Sequence, residues 1–355
     1  MNTNYVEQSL KAIGKDEKLR ARFLEFIKEV EKELAYNGKG SVRDDVTRHL
    51  VDALFEKDDF VIKSNSSGIK YKFLTGIGSK VAREFLLSTP DVPEFAWEPQ
   101  TTKLLLHLSK NAKNVVIGGA YFGDQALPIA KQIESGSGVV HAFDLNETQL
   151  SVLRENMSLN NIKNIEVVPM GLWNDSATFL NLSETDDLAF ASPSTDTNSS
   201  NTITIDEYVA KNNLPGVDLI MLDIEGSELM VLQGAQQQLS KETGYPNIVF
   251  EIHSSYVDWS NGLNETPIAK LLSSHGYKLY SVRDFQGNYD MQGKAIELTL
   301  PEETVIDGPP HGFNMMAVKD ESIINDSLFK MCRNVSPKYI LHKDPSIHHH
   351  TDGFK

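Results

Sequence analysis

Hydrophobic positions along this chain follow two rhythms. Up to about residue 57 they recur at helical spacing. The segment EKLRARFLEFIKEVEKEL puts Leu19, Phe23, Phe26, Ile27 and Val30 on one stripe with charges opposite, which predicts an amphipathic helix. Arg43 to Phe55 repeats the pattern. From Asp59 to Leu74 the reading is a hairpin: FVIKS, a turn at Asn65-Ser66-Ser67-Gly68, then IKYKFL. A helix over Lys80–Leu87 and a Pro-containing connector, STPDVPEFAWEP, follow.

From about residue 100, short apolar runs alternate with helical ones. Strands are predicted at 114–118, 138–143, 164–168, 217–222, 246–252, 277–282 and 313–319, with helices near 124–134, 147–160, 226–239 and 265–275. This alternation predicts an α/β fold with a doubly wound, mostly parallel seven-stranded sheet and a mainly helical N-terminal extension. The expected domains are 1–94, which would serve substrate choice or dimerisation, 95–334, and a C-terminal tail, 335–355. Two polar stretches interrupt the alternation: SETDDLAFASPSTDTNSSN at 183–201, and residues 284–312 with Asp307-Gly308-Pro309-Pro310. Each reads as a surface loop or a lid.

Composition narrows the partners. The net charge of −15 argues against nucleic acid and against an anionic membrane surface. No apolar run is long enough to cross a bilayer, and the N-terminus has no signal-peptide core. A single cysteine, Cys332, allows no internal disulfide and fits a reducing, cytoplasmic setting. On a helix predicted after the last strand, Cys332 reads as a packed small residue. The expected partner is a small molecule or glycan, with a homodimer possible because the N-terminal helices must bury a face. His348-His349-His350 reads as an incidental run.

Candidate chemistry gathers at predicted strand ends. DLIMLDIEGSELMVLQGA, residues 218–235, is an apolar strand that ends in Asp223 and Glu225 and then turns into a helix. In open α/β sheets ligands bind beyond the carboxyl ends of the strands. The first strand runs into Gly118-Gly119-Ala120-Tyr121-Phe122-Gly123, where glycines allow close backbone approach. The spacing is not G-x-G-x-x-G, and no phosphate-binding lysine follows. The second strand, HAFDLN, ends in Asp144, which would accept from ribose hydroxyls or cap the next helix. Met170-Gly171-Leu172-Trp173 lies where an adenine edge would be read, with the Trp173 ring in the core.

Together these elements resemble the FkbM-type branch of class I S-adenosylmethionine (SAM)-dependent methyltransferases, over about Phe95 to Lys319. The carriers are Glu98-Pro99, VVIGGAYFGD, HAFDLN, TITIDEYV, DLIMLDIEGSELMVLQGA, PNIVFEIH and GFNMMAVK. The resemblance implies a Rossmann-like methyltransferase domain with SAM as cofactor. It implies that Gly119, Ala120 and Gly123 wrap the methionine part and that Asp144 holds the ribose. Glu98 would fix the amino-acid end, and Leu145, Gly171, Leu172 and Asp223 would complete the contacts. Ile117 stands where the family usually has Asp, and Tyr121 where it has Asn.

On the acceptor side, Asp223 and Glu225 follow the fourth strand, and Glu251 and His253 share a face of the fifth. A hydroxyl acceptor must lose a proton, and any of the four could take it. The same set could ligate a divalent ion such as magnesium, but it is not a closed metal signature, and no metal ligands are assigned. The expected activity is methyl transfer to a hydroxyl of a sugar or glycosylated small molecule. The alternatives are N-methylation of a peptide or amino sugar, and a non-catalytic nucleotide-binding or scaffold module.

Overall fold

Runs of Val, Ile, Leu, Met and Phe too short for helices form the strands of one nine-stranded sheet. Its strands, in chain order, are β1 (Asn114–Gly118), β2 (Val139–Phe143), β3 (Ile165–Val168), β4 (Leu219–Leu222), β5 (Asn247–His253), β6 (Lys278–Val282), β7 (Ile296–Thr299), β8 (Gly312–Val318) and β9 (Phe329–Cys332). The order across the sheet is β9-β7-β6-β8-β5-β4-β1-β2-β3. Strands β3, β2, β1, β4 and β5 run parallel. Strand β8 lies antiparallel between β5 and β6. Every residue of β1, β4 and β8 is buried, as expected for strands covered on both faces.

The computed structural model describes residues 3–34, 36–37, 40–57, 59–76, 79–88, 92–182, 191–196, 199–285, 287, 291–306 and 312–338. They fall into two units, one up to Trp97 and one from Glu98 onward, with Gly287 grouped with the first.

In the second unit all seven predicted strands are present, and the sheet is two strands larger and mixed. Strand β7 lies inside the stretch that composition marks as an insertion. It pairs antiparallel with β6 and parallel with β9. A buried ion pair between Arg283 and Glu297 ties β7 beside the end of β6. Cys332 ends β9, a strand and not a helix; it is buried, and burial pushes its thiol up to about 11, so it is a packed side chain. The polar stretch after residue 182 also carries strands. Ala191–Ser194 pairs with Phe179–Leu182, and Ser200–Ile203 pairs with Gly171–Leu172. Pro193 is tolerated because its strand is the edge of that small sheet. Chain order reverses between β1 and β4, which makes the carboxyl ends of these two strands the topological switch point.

The first unit carries the expected helices, Thr3–Lys15 and Glu17–Leu34, and the expected hairpin, Asp59–Ser64 with Lys70–Thr75. The buried stripe of the second helix is narrower than its apolar positions suggest. Ile27 is buried and packs with Phe23 and Leu24, whereas Leu19 and Phe26 face outward. Helical rotation decides this: residues three and four from Ile27 share its face, and Phe26 does not. His311, His342 and the His348–His350 run lie outside the described residues. Among the described residues no helix is long and apolar enough to cross a membrane.

Candidate active site

The turn after β1 is built around glycine. Gly119 has φ +82°, and a Cβ there would lie 1.9 Å from the Asp223 carbonyl oxygen. The amides of Gly119 and Ala120 both donate to the Phe143 carbonyl at 3.0 Å. Gly123, at φ +93°, would place a Cβ 2.5 Å from Leu153. Asn156, fully buried on the next helix, donates its side-chain amide to the Phe122 carbonyl at 2.9 Å. The glycine turn is thus clamped from three sides.

Asp144 closes the turn. One carboxylate oxygen accepts from the Tyr121 amide at 2.8 Å, and the other accepts from the Asn146 amide at 2.8 Å. The helix cap belongs to Asn146, whose side chain accepts from the Gln149 amide. Tyr121 sits at φ 48°, a left-handed conformation that suits asparagine better than a bulky side chain. On the adjoining edge, a Cβ at Gly171 would lie 2.6 Å from Leu180 and 3.4 Å from Leu145. Leu172 and the Trp173 ring are buried, as the sequence predicts for the ring.

The end of β4 turns through two residues of positive φ, Glu225 (52°) and Gly226 (98°). A Cβ at Gly226 would lie 2.5 Å from the Tyr256 ring. The Glu228 carboxylate accepts from the Ile224 amide at 3.0 Å and so closes the turn at the start of its own helix. An acid in the first turn also favours the N-terminal end of the helix dipole.

Across from it, Glu251 and His253 end β5. Gly312 pairs with His253, and a Cβ there would lie 2.6 Å from Glu251 Oε1 and 2.4 Å from His253 Cδ2. His253 Nδ1 accepts from the Ser255 amide at 3.0 Å. In the neutral ring the proton then sits on Nε2, which makes that nitrogen a donor.

Glu98 joins this group, together with three residues that the sequence did not single out: Asp284, Asn314 and Lys338. Glu98, buried and at φ 40°, accepts from Asn314 Nδ2 at 2.6 Å and pairs with the buried Lys338 ammonium at 3.5 Å. Asp284, also buried, accepts from the Gln100 and Thr101 amides at 3.0 and 2.7 Å, which anchors the helix that starts after Glu98. Asn314 and Lys338 have no motif to mark them. Each is polar at a position whose burial depends on pairings across the sheet.

Burial, reinforced by the charges of neighbouring acids, dominates the electrostatics of this group. Burial, then the charges of Glu251 and Glu98, holds the Asp223 carboxyl well above the usual carboxylate range. Burial, then Glu225 and Glu98, pushes Glu251 up to about 8, with Lys338 pulling the other way. Burial raises Asp124 and Asp284 each to about 7, in both cases with the Glu98 charge adding to it. Burial also raises Glu228 to about 7, against the backbone amides that favour its anion. Oxygens of Asp223, Glu225 and Glu251 lie within 4.8 Å of one another, a spacing that a divalent cation could bridge.

Residues 118–279, from the end of β1 into β6, match the family model described as the methyltransferase FkbM domain. This segment is similar to the FkbM methyltransferase domain. No curated protein gives a significant match. Among solved structures, the chain is similar to TYW2 from M. jannaschii in complex with AdoMet, at 16% identity, with 74% of this chain and 86% of that one covered and a TM-score of 0.36. It is also similar to an O-methyltransferase from Bacillus cereus in complex with SAH, at 15% identity, covering 62% and 80%, with a TM-score of 0.34. A third is a precorrin-6y C5,15-methyltransferase from Geobacter metallireducens, at 14% identity, covering 62% and 88%, with a TM-score of 0.34.

The two departures from the FkbM pattern, at Ile117 and Tyr121, have different consequences. Ile117 is buried in β1 between Ala142 and Met221, so no acid stands there. Tyr121 keeps the turn through its backbone, because its amide and not its ring reaches Asp144. The raised carboxyls also set a pH dependence. A carboxyl raised in the folded state holds a proton there that the unfolded chain releases. Its contribution is full below the unfolded value near 4.5 and is lost as pH rises through the folded value of about 7 for Glu228 or about 8 for Glu251. Thermal stability of the ligand-free protein should therefore fall as pH rises from about 4.5 to about 8. Melting curves across that range that are flat or rising would contradict the assignment.

Proposed function

We propose that the protein is a SAM-dependent O-methyltransferase whose acceptor is a hydroxyl of a sugar or glycosylated small molecule. The observation that carries this reading is the carboxylate group at the ends of β4 and β5, beside the glycine turn and Asp144. The residues fit the cofactor. Gly119, Ala120 and Gly123 offer backbone where a Cβ would collide with Asp223 or Leu153. Asp144 has acceptor sites left for ribose hydroxyls after its two backbone amides. Leu145, Gly171 and Leu172 would line the adenine. Glu98, with Asp223 near it in charge, would meet the ammonium end and replace the acid absent at Ile117. A sulfonium cation also suits a site crowded with carboxyls.

SAM supplies the methyl group as an already activated sulfonium. What remains for the chain is to align the acceptor, exclude water and take one proton. Glu251 is the proposed base, since its raised carboxyl is basic enough to take a hydroxyl proton and its neighbour Asp223 shares the charge. His253 Nε2, as a donor, would hold a second acceptor oxygen. Tyr256, half exposed and stacked over Gly226, would give a sugar ring an apolar face to rest on. No resident metal is assigned.

Calorimetry with S-adenosylhomocysteine (SAH), followed by transfer assays on hydroxylated and amino sugars, tests the reading. The expected result is micromolar binding and turnover on a hydroxyl acceptor. A folded protein that binds no SAH would overturn it, and turnover only on amines would favour the N-methyl alternative.

A further inference from the structure

The buried ion pair between Lys338 and Glu98 extends the site into a part of the chain that the FkbM match does not reach. Lys338 is held at both backbone and side chain. The Asp284 amide donates to the Pro337 carbonyl at 2.9 Å, Arg283 Nε donates to the Ser336 carbonyl at 2.8 Å, and the Lys338 amide donates to Ser336 Oγ at 3.2 Å. Val335, Ser336 and Lys338 are all buried, so this short segment is built into the second unit. The Lys338 ammonium is 1% exposed, makes no hydrogen bond among the described residues, and has Glu98 as its ion-pair partner.

Glu98 is the centre of this arrangement. Asn314 donates to one of its oxygens and Lys338 pairs with the other, so the carboxylate has one orientation. Its charge is felt by Asp124, Asp223, Glu251 and Asp284, which places it among the strand-end acids. Asn314 Oδ1 is buried and has no hydrogen-bond partner among the described residues. An amide oxygen beside a carboxylate is an acceptor pair suited to an ammonium group, which has only donors. Removing one member of a buried ion pair leaves the other uncompensated, and such a charge moves or is neutralised.

We propose that Lys338 is a positioning residue for the aminoacyl end of the cofactor: with Asn314 it fixes the Glu98 carboxylate so that Glu98 and Asn314 Oδ1 together receive an α-ammonium. The ligand class is an α-amino acid moiety carried on a nucleoside thioether. Lys338 does not touch the ligand and acts through Glu98. This inference rests on the proposed SAM site, but its test separates the two.

The test compares binding of SAH with binding of methylthioadenosine, which shares the nucleoside and sulfur but lacks the aminoacyl group. In the unaltered protein SAH should bind more tightly. Lys338→Met should lower SAH affinity by about 10- to 100-fold, the size of a lost charge-assisted hydrogen bond, and leave methylthioadenosine within about twofold. Lys338→Arg should restore most of the preference. If Lys338→Met does not fold, the double variant Glu98→Gln with Lys338→Met removes both charges and should show the same loss of preference. A folded variant that keeps the full preference for SAH, or one that loses both ligands equally, overturns the proposal. If the unaltered protein binds methylthioadenosine as well as SAH, Glu98 does not serve an aminoacyl group, and the proposal also fails. If it binds neither, the methyltransferase reading fails first.

Discussion

Replacing Asp144 by alanine should lower SAH affinity by about two to four orders of magnitude, the largest binding effect expected in this molecule. The carboxylate has two jobs. It accepts from the Tyr121 and Asn146 amides and so sets the shape of the glycine turn. In the proposed site it also accepts from the ribose hydroxyls. Two hydrogen bonds to a charged group are worth about 1.5–3 kcal/mol each, or about 3–6 kcal/mol together. At about 1.4 kcal/mol per tenfold, that is about a 100- to 10,000-fold loss. Asp144→Asn keeps one acceptor oxygen and should fall between the two. Calorimetry with SAH, alongside a melting curve to confirm folding, decides the matter. A folded Asp144→Ala that binds within fivefold of the unaltered protein would show that the carboxylate serves only the turn.

The second large effect is on rate. Glu251→Gln should reduce kcat on a hydroxyl acceptor by about 100- to 10,000-fold, the usual worth of a general base, and leave SAH affinity within a few-fold. The pH dependence gives a sharper reading. Glu251 is pushed up to about 8 by burial and by the Glu225 and Glu98 charges. Below that value the carboxyl carries its proton and cannot take another, and above it the base is free. The rate on a hydroxyl should therefore rise with pH up to about 8 and then level, and the variant should lack that rise. Asp223 and Glu251 titrate as a pair, so the apparent value belongs to both. If the residual rate of Glu251→Gln keeps the same pH profile, the base lies elsewhere. Full loss of activity with a chelator, restored by magnesium, would instead make Asp223, Glu225 and Glu251 a cation site, which their 4.8 Å spacing allows.

Much of this site was legible in the sequence because it is built at strand ends, where pattern and chemistry coincide. A parallel strand buried on both faces must be apolar, so the first polar residue after it marks its mouth. That rule located Asp144 and Asp223, and residue alternation placed Glu251 and His253 on one face. The glycines of the first turn were legible because the turn needs positive φ and close backbone approach.

Other features had no local signal. Strand β7 lies between polar stretches, and its pairing with β6 and β9 is a long-range event. Ser200–Ile203 and Ala191–Ser194 are too polar to announce themselves as strands, and sheet pairing overrides their composition. Phe26 is apolar but exposed, because the packing of neighbouring elements chooses which side of an amphipathic helix is covered.

By itself, the sequence determined the seven strands, their helices, the doubly wound class and the acids at the sheet's mouth. Each follows from periodicity and from the rule that buried backbone must be paired. Only the tertiary structure decided how those acids interact. It set Glu98 against Lys338 and Asn314, brought the Asp223, Glu225 and Glu251 oxygens within 4.8 Å, and put the proton of neutral His253 on Nε2. The physical reason is distance: pair electrostatics depend on separation and burial, and neither is encoded in the identity of any one residue.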